Sequence, residues 1–285
     1  MPMKGFPMQN GTPSRTALMA AAARAAHLVI DRAPFLFHDT IAAVLLGERA
    51  EELIGYHRRY GDHPILSGAR AQVTTRSRYT ETRLTASGHT RYVLLGAGLD
   101  TFAYRSGGHI TVFEVDHPST QPWKRDLLSA AGIAPTDVGF IGVDFEKGSL
   151  AEGLAAHGLD TGCPALVSRL GVSMYLTERA IERTLGALSH CAPGTELIME
   201  YALPPHLRDE RGAAYAELAI AASADHGEPW LGYFTPDKLS ALLTEYGFTV
   251  LEHISQRDAV ASALWQRSDG LRPADLCRLV RAVVR

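Results

Sequence analysis

Tyr92-Val93-Leu94-Leu95 is an apolar run that breaks into Gly96-Ala97-Gly98-Leu99-Asp100-Thr101, and a second apolar run, Ile110 to Val115, ends in Asp116. The order is strand, glycine turn, connection, strand, acid. Glycines let the backbone approach a ligand with no Cβ in the way. An acid at the tip of the next strand can accept hydrogen bonds from both hydroxyls of a ribose. Asp116 stands 18 residues past Gly98, near the spacing of about 20 expected of nucleoside sites. Taken alone, the turn also reads as a tight link between two core strands.

The same turn argues against a dinucleotide. That ligand wants Gly-x-Gly-x-x-Gly, with a third small residue where the helix packs on the strand. Here Thr101 holds that position and Phe102 follows it. Asp100 stands where a pyrophosphate would approach, and a carboxylate there repels it. A cofactor with a ribose and no phosphate fits better. S-adenosyl-L-methionine is one, and its sulfonium and amino group are cations that an acid near the turn favours.

From Arg91 onward strands and helices alternate. Apolar runs mark strands at Tyr92–Leu95, Thr111–Val115, Val138–Val143, Ala165–Leu170, Glu196–Tyr201 and Thr249–Ile254. Helical patterns fall near Pro122–Ala131, Leu150–His157, Glu178–His190 and Pro236–Tyr246. This alternation predicts a doubly wound, parallel sheet. Thr177 caps a helix with Ile181, Leu185 and Leu188 on one face, and Thr235-Pro236 is an N-cap followed by proline at the first helical position. Ahead of the sheet, Ser14 opens a helix to about Ile30, and Leu66 to Ser87 reads as a second helix rich in arginine. The division expected is an N-terminal helical segment, 1–90, acting as a lid, and a cofactor-binding domain, 91–285, whose helical insertion near 204–232 completes the lid. Residues 1–13, rich in Gly, Pro and Met, are expected to be loose.

In open α/β sheets, ligands bind beyond the carboxyl ends of the strands. Gly96, Gly98, Asp116, Asp144 and the Leu170-Gly171 turn all fall there, and together they predict a cofactor site. Net charge of −3, from 28 basic and 31 acidic residues, gives no footprint for nucleic acid. No apolar run reaches the roughly 18 to 20 residues that span a bilayer. The Ala-rich stretch Thr16 to Ile30 carries Arg24 and His27, unlike the core of a signal peptide. Three scattered cysteines argue against a disulfide framework or a Cys-based zinc site. No histidine spacing marks a metal. A cytoplasmic protein with a small-molecule partner is the simplest expectation, and the sequence leaves its oligomeric state open.

Several blocks resemble the leucine carboxyl methyltransferase-like family, in particular the bacterial branch that includes O-methyltransferases of polyketide and other secondary metabolism. They are Ser14-Arg15-Thr16-Ala17, Thr75-Arg76-Ser77-Arg78-Tyr79, Leu95 through Arg105, Val112-Phe113-Glu114-Val115-Asp116-His117-Pro118, Gly142-Val143-Asp144-Phe145 and Gly171-Val172-Ser173-Met174-Tyr175-Leu176. They occur in the family's order over roughly residues 14 to 265. The resemblance implies a seven-stranded, mostly parallel, Rossmann-like sheet of the class I methyltransferases.

It also implies roles. Gly96, Ala97 and Gly98 would form the cofactor turn, Asp116 would take the ribose hydroxyls, and Asp144 with Phe145 would contact the adenine. Asp144 reads equally as a helix N-cap. Arg76 would hold the cofactor's carboxylate through its fork of donors, with Arg15 a second candidate. Glu114 either assists Asp116 or pairs with an arginine inside the sheet. Many relatives carry Ala-Glu-Gly where this chain has Arg169-Leu170-Gly171, so the acid that would face the cofactor's amino group is missing. Leu170 is kept as a cofactor contact, with main-chain carbonyls in place of the acid.

Methyl transfer from a sulfonium is an in-line displacement on an activated electrophile, so the protein aligns the nucleophile and excludes water. Tyr201, Trp230 and Tyr233 could wall an acceptor, although each reads as well as core. His117, His206 and His226 are open as bases, and no catalytic residue is marked by spacing. The expected function is O-methyl transfer to a carboxylate or hydroxyl of a small molecule. The N-terminal arginines, as holders of an anion, and the absence of a marked base tilt this toward a carboxylate. The alternatives are an NAD-dependent oxidoreductase and a non-catalytic S-adenosylmethionine-binding protein.

Overall fold

The computed structural model describes residues 14–134 and 137–285, so the Gly- and Pro-rich opening lies outside the described residues. Seven strands form one sheet: β1 (Arg91–Leu95), β2 (Thr111–Asp116), β3 (Val138–Gly142), β4 (Leu166–Arg169), β5 (Glu196–Ala202), β6 (Phe248–Ser255) and β7 (Cys277–Val284). Their order is β3-β2-β1-β4-β5-β7-β6. The first five pair in parallel, and β7 runs antiparallel between β5 and β6. The sheet grows in opposite directions from β1 and β4. Their carboxyl ends therefore flank the crevice where such sheets bind ligands.

Both faces are covered. One packs Val93, Val115, Ile141 and Val167 against Leu150 and Leu154 of α6 (Leu150–Ala156), Ile181 and Leu185 of α7 (Glu178–Leu188) and Leu239 and Leu243 of α9 (Pro236–Glu245). The other packs Tyr92, Leu94, Val112 and Ile198 against Tyr79 and Leu84 of α4 (Pro64–Ser87). The predicted caps form: Thr177 accepts from Ala180 N–H and Thr235 from Lys238 N–H. Each satisfies a donor that the first helical turn leaves open.

The Ala-rich stretch becomes α1 (Arg15–Ile30), begun by Ser14, whose Oγ accepts from Ala17 N–H at 3.2 Å. Ala21, Ala22, Ala23, Ala25 and Ala26 are all buried. Their small size lets α1 settle on the glycine turn: a Cβ built on Gly98 would stand 3.0 Å from Ala17 Cβ. Asp39 accepts from Ala42 N–H at the start of α2 (Ala42–Leu45).

Two elements differ from the sequence reading. α3 (Ala50–Tyr60) was unmarked because charged pairs, Glu51-Glu52 and Arg58-Arg59, bracket its short buried face of Leu53, Ile54 and His57. β7 lacks strict alternation because it is an interior strand: Leu279 and Val280 are adjacent and both buried, while Arg281 is paired with Glu196 and Glu252. The insertion is helical as expected, with α5 (Thr120–Ala130) and α8 (Glu210–Asp225) completing the helices.

Candidate functional site

One cavity of about 820 Å³ lies at the carboxyl ends of β1 to β4 and runs under α1, α3, α4 and α8. That volume is within the range of about 300–1,000 Å³ usual for cofactor and small-molecule sites. Gly96, Ala97, Gly98, Asp116, Asp144, Phe145, Leu170, Arg76 and Trp230 all line it. Residues drawn from six separate stretches of sequence thus share one space.

The turn is held from both sides. Gly96 has φ +80°, and a Cβ on it would run into Val172. Its N–H donates to Val115 C=O at 2.7 Å, which ties the turn to β2. Asp116 closes the same corner: Oδ2 accepts from Gly98 N–H, and Oδ1 from His117 N–H at 2.6 Å. Burial pushes the Asp116 carboxyl above its ordinary pKa, and the two N–H donors only partly offset this. Its geometry is fixed before any ligand arrives.

Asp144 is not a helix cap. Ser149 caps α6, whereas Asp144 Oδ1 accepts from Glu146 N–H at 2.9 Å in a local turn. Beside it, Phe145 forms part of the wall, with the Arg169 guanidinium 5.3 Å from its ring centroid on the β4 side. Arg169 is 1% exposed, and none of its side-chain nitrogens has a hydrogen-bond partner among the described residues. Burial pulls its pKa down to about 9.

Arg76 lies over Gly171, where a Cβ would stand 2.6 Å from Nη1. Nη1 donates to Glu200 Oε2 at 2.6 Å. Glu200 Oε1 accepts from Gln72 Nε2 at 2.9 Å, and Gln72 Oε1 accepts from Tyr215 O–H at 2.9 Å. Burial works against the charge on Arg76, and Glu200 more than compensates, leaving its pKa raised. Sequence reasoning missed Glu200 because a single acid inside an apolar strand has no local signature.

Other expectations are corrected by position. Tyr201 is fully buried in the core and hydrogen-bonded to His253 Nδ1 at 2.9 Å, away from the cavity. β5 is an interior strand, and Tyr201 sits on the face covered by α7 and α9. Tyr233 packs behind Trp230, with ring centroids 6.3 Å apart, and does not reach the cavity. Glu114 pairs with Lys124 at 2.6 Å and accepts from Tyr104 O–H, so it neither assists Asp116 nor meets an arginine. Arg15 is exposed and outside the cavity wall. His117 and His226 line the wall; His206 does not.

Three of the N-terminal arginines are committed to the fold. Arg24 pairs with Asp39, Arg70 with Asp31, and Arg78 donates to Leu36 C=O. They do not form the anion-holding group that their number suggests. Glu228 joins the start of α1 to the segment that follows α8, accepting from Ser14 Oγ at 2.8 Å and from Thr16 N–H at 3.1 Å.

The groups present fit S-adenosylmethionine. A fixed carboxylate stands at the β2 tip, an aromatic wall and a second carboxylate at the β3 end, and a guanidinium across the β4 turn. A doubly wound sheet with its order reversed at β1 and β4, and with these groups at the reversal, defines a class I methyltransferase. The sequence places it further. The leucine carboxyl methyltransferase family model matches residues 17–189. YktD of Bacillus subtilis (strain 168), described as an S-adenosyl-L-methionine-dependent methyltransferase, is 30% identical over 97% of this chain and 99% of its own length. A Mycobacterium avium (strain 104) protein of the same description is 34% identical over 71% of this chain and 70% of its own. The chain belongs to the leucine carboxyl methyltransferase family and is an S-adenosylmethionine-dependent methyltransferase. The oxidoreductase alternative is thereby set aside. A methyltransferase structure from Thermobifida fusca YX, 17% identical, shares the fold with a TM-score of 0.60 over 98% of this chain and 97% of its own. Among the described residues no helix is long and apolar enough to cross a membrane, and no cluster of His, Cys, Asp or Glu could hold a metal.

Proposed function

We propose that this methyltransferase is an O-methyltransferase acting on a carboxylate or hydroxyl of a small, largely apolar molecule of secondary metabolism. In this reading Asp116 binds the ribose hydroxyls, Asp144 and Phe145 receive the adenine, Arg76 takes the amino-acid carboxylate, and Leu170 with the turn backbone borders the methionine end. S-adenosylmethionine supplies an activated methyl, so the chain's own work is to bind, align and exclude water. The N-terminal segment and α8, with the segment that follows it, act as the cover, and Glu228 is the link between them.

The observation that carries the reading is the helical end of the cavity. Its wall includes Met19, Leu53, Ile65, Tyr215, Ala219 and Trp230, a surface suited to an apolar body. Two titratable groups set in the wall there, Tyr215 and His57, are poorly suited as general bases, which leaves His226, in the same wall as Trp230, as the candidate base for a hydroxyl acceptor. Burial raises the Tyr215 phenol far above its ordinary pKa and holds His57 down at about 4. A carboxylic acid, with a reference pKa near 4, is already an anion at pH 7 and needs no base. A phenol near 10 would gain from one. The unsuitability of Tyr215 and His57 supports the carboxylate, and the arginines do not.

The test is a methyl-transfer assay over a panel of aryl acids and phenols, with kcat/KM followed against pH. A methyl ester and a flat profile from about pH 6 to 8 are expected. An alkali-stable ether whose rate climbs with pH would move the assignment to a hydroxyl. Methyl on nitrogen, carbon or sulfur would overturn O-methylation.

A further inference from the structure

His57 stands on α3 in the cavity wall. Its Nδ1 lies 3.3 Å from Arg70 Nη1. A guanidinium only donates, so Nδ1 must carry its lone pair, and a neutral ring then has its proton on Nε2. Arg70 is itself locked. Its Nε and Nη2 fork onto Asp31 at 2.9 and 3.1 Å. Asp31 Oδ2 also accepts from His27 Nδ1 at 2.8 Å, and His27 Nε2 accepts from Leu36 N–H at 2.9 Å. Each proton in this buried chain is assigned by the partner next to it, from a backbone N–H to the cavity wall. Among the described residues His57 Nε2 has no partner.

We propose that His57 is an acceptor-binding residue whose Nε2–H, fixed in that tautomer by Arg70, donates to an oxygen of the methyl acceptor other than the one that is methylated. This rests on the O-methyltransferase reading above. The separation of the two oxygens follows from α4. Arg70 and Arg76 are six residues apart on that helix, about 9 Å along its axis. The His57 end therefore lies well away from the guanidinium assigned to the cofactor. The nearby wall includes the apolar Leu53, Ile65 and Leu66, and the neighbouring donor on α3 is the hydroxyl of the exposed Tyr56. The groups facing the ring are the Arg70 cation and, behind it, Asp31; a second positive charge against Arg70 is disfavoured, so the ring serves as a donor at neutral pH and not as a base. The substrate class this selects is an aryl or alkyl acid carrying a second hydroxyl or carbonyl oxygen.

The experiment uses two acceptor pairs, benzoate with 4-hydroxybenzoate and 2-naphthoate with 6-hydroxy-2-naphthoate, on wild type, His57→Gln and His57→Phe. Affinity for S-adenosylhomocysteine is measured alongside to confirm an intact cofactor end. Wild type should favour the hydroxylated member by about five-fold in KM, the scale of one neutral hydrogen bond. His57→Phe should lose that preference, and His57→Gln, which keeps an N–H, should retain part of it. Nitrogen-edited NMR of the histidine ring should show the Nε2–H tautomer at pH 7 and a shift of that proton on adding the hydroxylated acid to the S-adenosylhomocysteine complex. A Nδ1–H tautomer, no shift with any of the four acids, or an unchanged preference in His57→Phe would overturn the proposal. Should the proton shift without methyl transfer, the His57 contact to a bound acid stands, and the O-methylation reading fails together with the acceptor role that rests on it.

Discussion

At the sheet end of the cavity, the turn and the Asp116 corner come from residues 96 to 117, two strand tips joined by one connection. At the helical end, the wall comes from α1, α3, α4 and α8, drawn from residues 15 to 225. The sheet end is rigid by construction, since Asp116 is already held by two backbone N–H groups and the turn by β2. The helical end is held by side chains in series: Gln72, Glu200 and Arg76 in one chain, His27, Asp31, Arg70 and His57 in another. A shared cofactor calls for the first kind of construction. The second can change its acceptor by altering helix faces without disturbing the sheet.

If this contrast holds, the two ends should answer differently to substitution. The largest effect is expected where the two meet, at Arg76. Arg76→Met leaves the buried Glu200 carboxylate without its cation, a loss that typically costs about 3–5 kcal/mol. A large fall in denaturation midpoint is expected, together with loss of cofactor binding. Arg76→Lys keeps the charge and loses the fork, so it should recover much of the stability and little of the affinity. Equal affinity in Arg76→Lys and wild type would remove Arg76 from the cofactor end.

The helical end should show itself in acid. His57 is lowered from 6.5 to about 4, first by burial and then by Arg70. Between those values the unfolded chain binds a proton that the folded chain refuses, so stability falls as pH drops from about 6.5 toward 4. At 1.36 kcal/mol per pKa unit the loss is about 3 kcal/mol. His57→Gln should flatten this part of the curve while leaving the smaller contribution of His253, which burial also lowers. Denaturation at a series of pH values decides it, and identical slopes would mean that His57 does titrate freely.

At the sheet end, Asp116→Ala should remove charge-assisted hydrogen bonds worth about 1.5–3 kcal/mol each. S-adenosylhomocysteine affinity should fall tenfold or more, while acceptor preference among bound complexes stays as it was. Calorimetry showing unchanged affinity would falsify the ribose assignment.

The same contrast explains how much could be read from the chain alone. Strand tips are local: Gly96, Gly98, Asp116, Asp144 and Phe145 each sit beside an apolar run that announces a strand, and all of them reach the cavity. Helix faces are not local. His57 is one residue among charged neighbours, and only the burial of Leu53 and Ile54 on the same side gives it meaning. Arginines invite an anion in the sequence, yet Arg24 and Arg70 meet Asp39 and Asp31 from the connections between helices, which no spacing foretells. β7 was hidden for a related reason, since an interior strand buried on both faces loses the alternation that marks a half-buried one.

Tyr201 gives the smallest expected effect and the finest test of the boundary between the two ends. In sequence it reads as an aromatic that could wall an acceptor, and it follows Glu200, the acid that holds Arg76. Alternation along β5 turns it to the opposite face, where it is fully buried with its hydroxyl on His253. Tyr201→Phe removes one hydrogen bond and keeps the ring. It should cost about 0.5–1.5 kcal/mol, and Ser240, which also contacts the imidazole at Nε2, keeps His253 partnered. Cofactor affinity and acceptor KM should not move. If Tyr201→Phe changed acceptor KM with stability intact, the wall of the acceptor end would have to extend through β5, and the division between a backbone-built cofactor end and a helix-built acceptor end would fail at that strand.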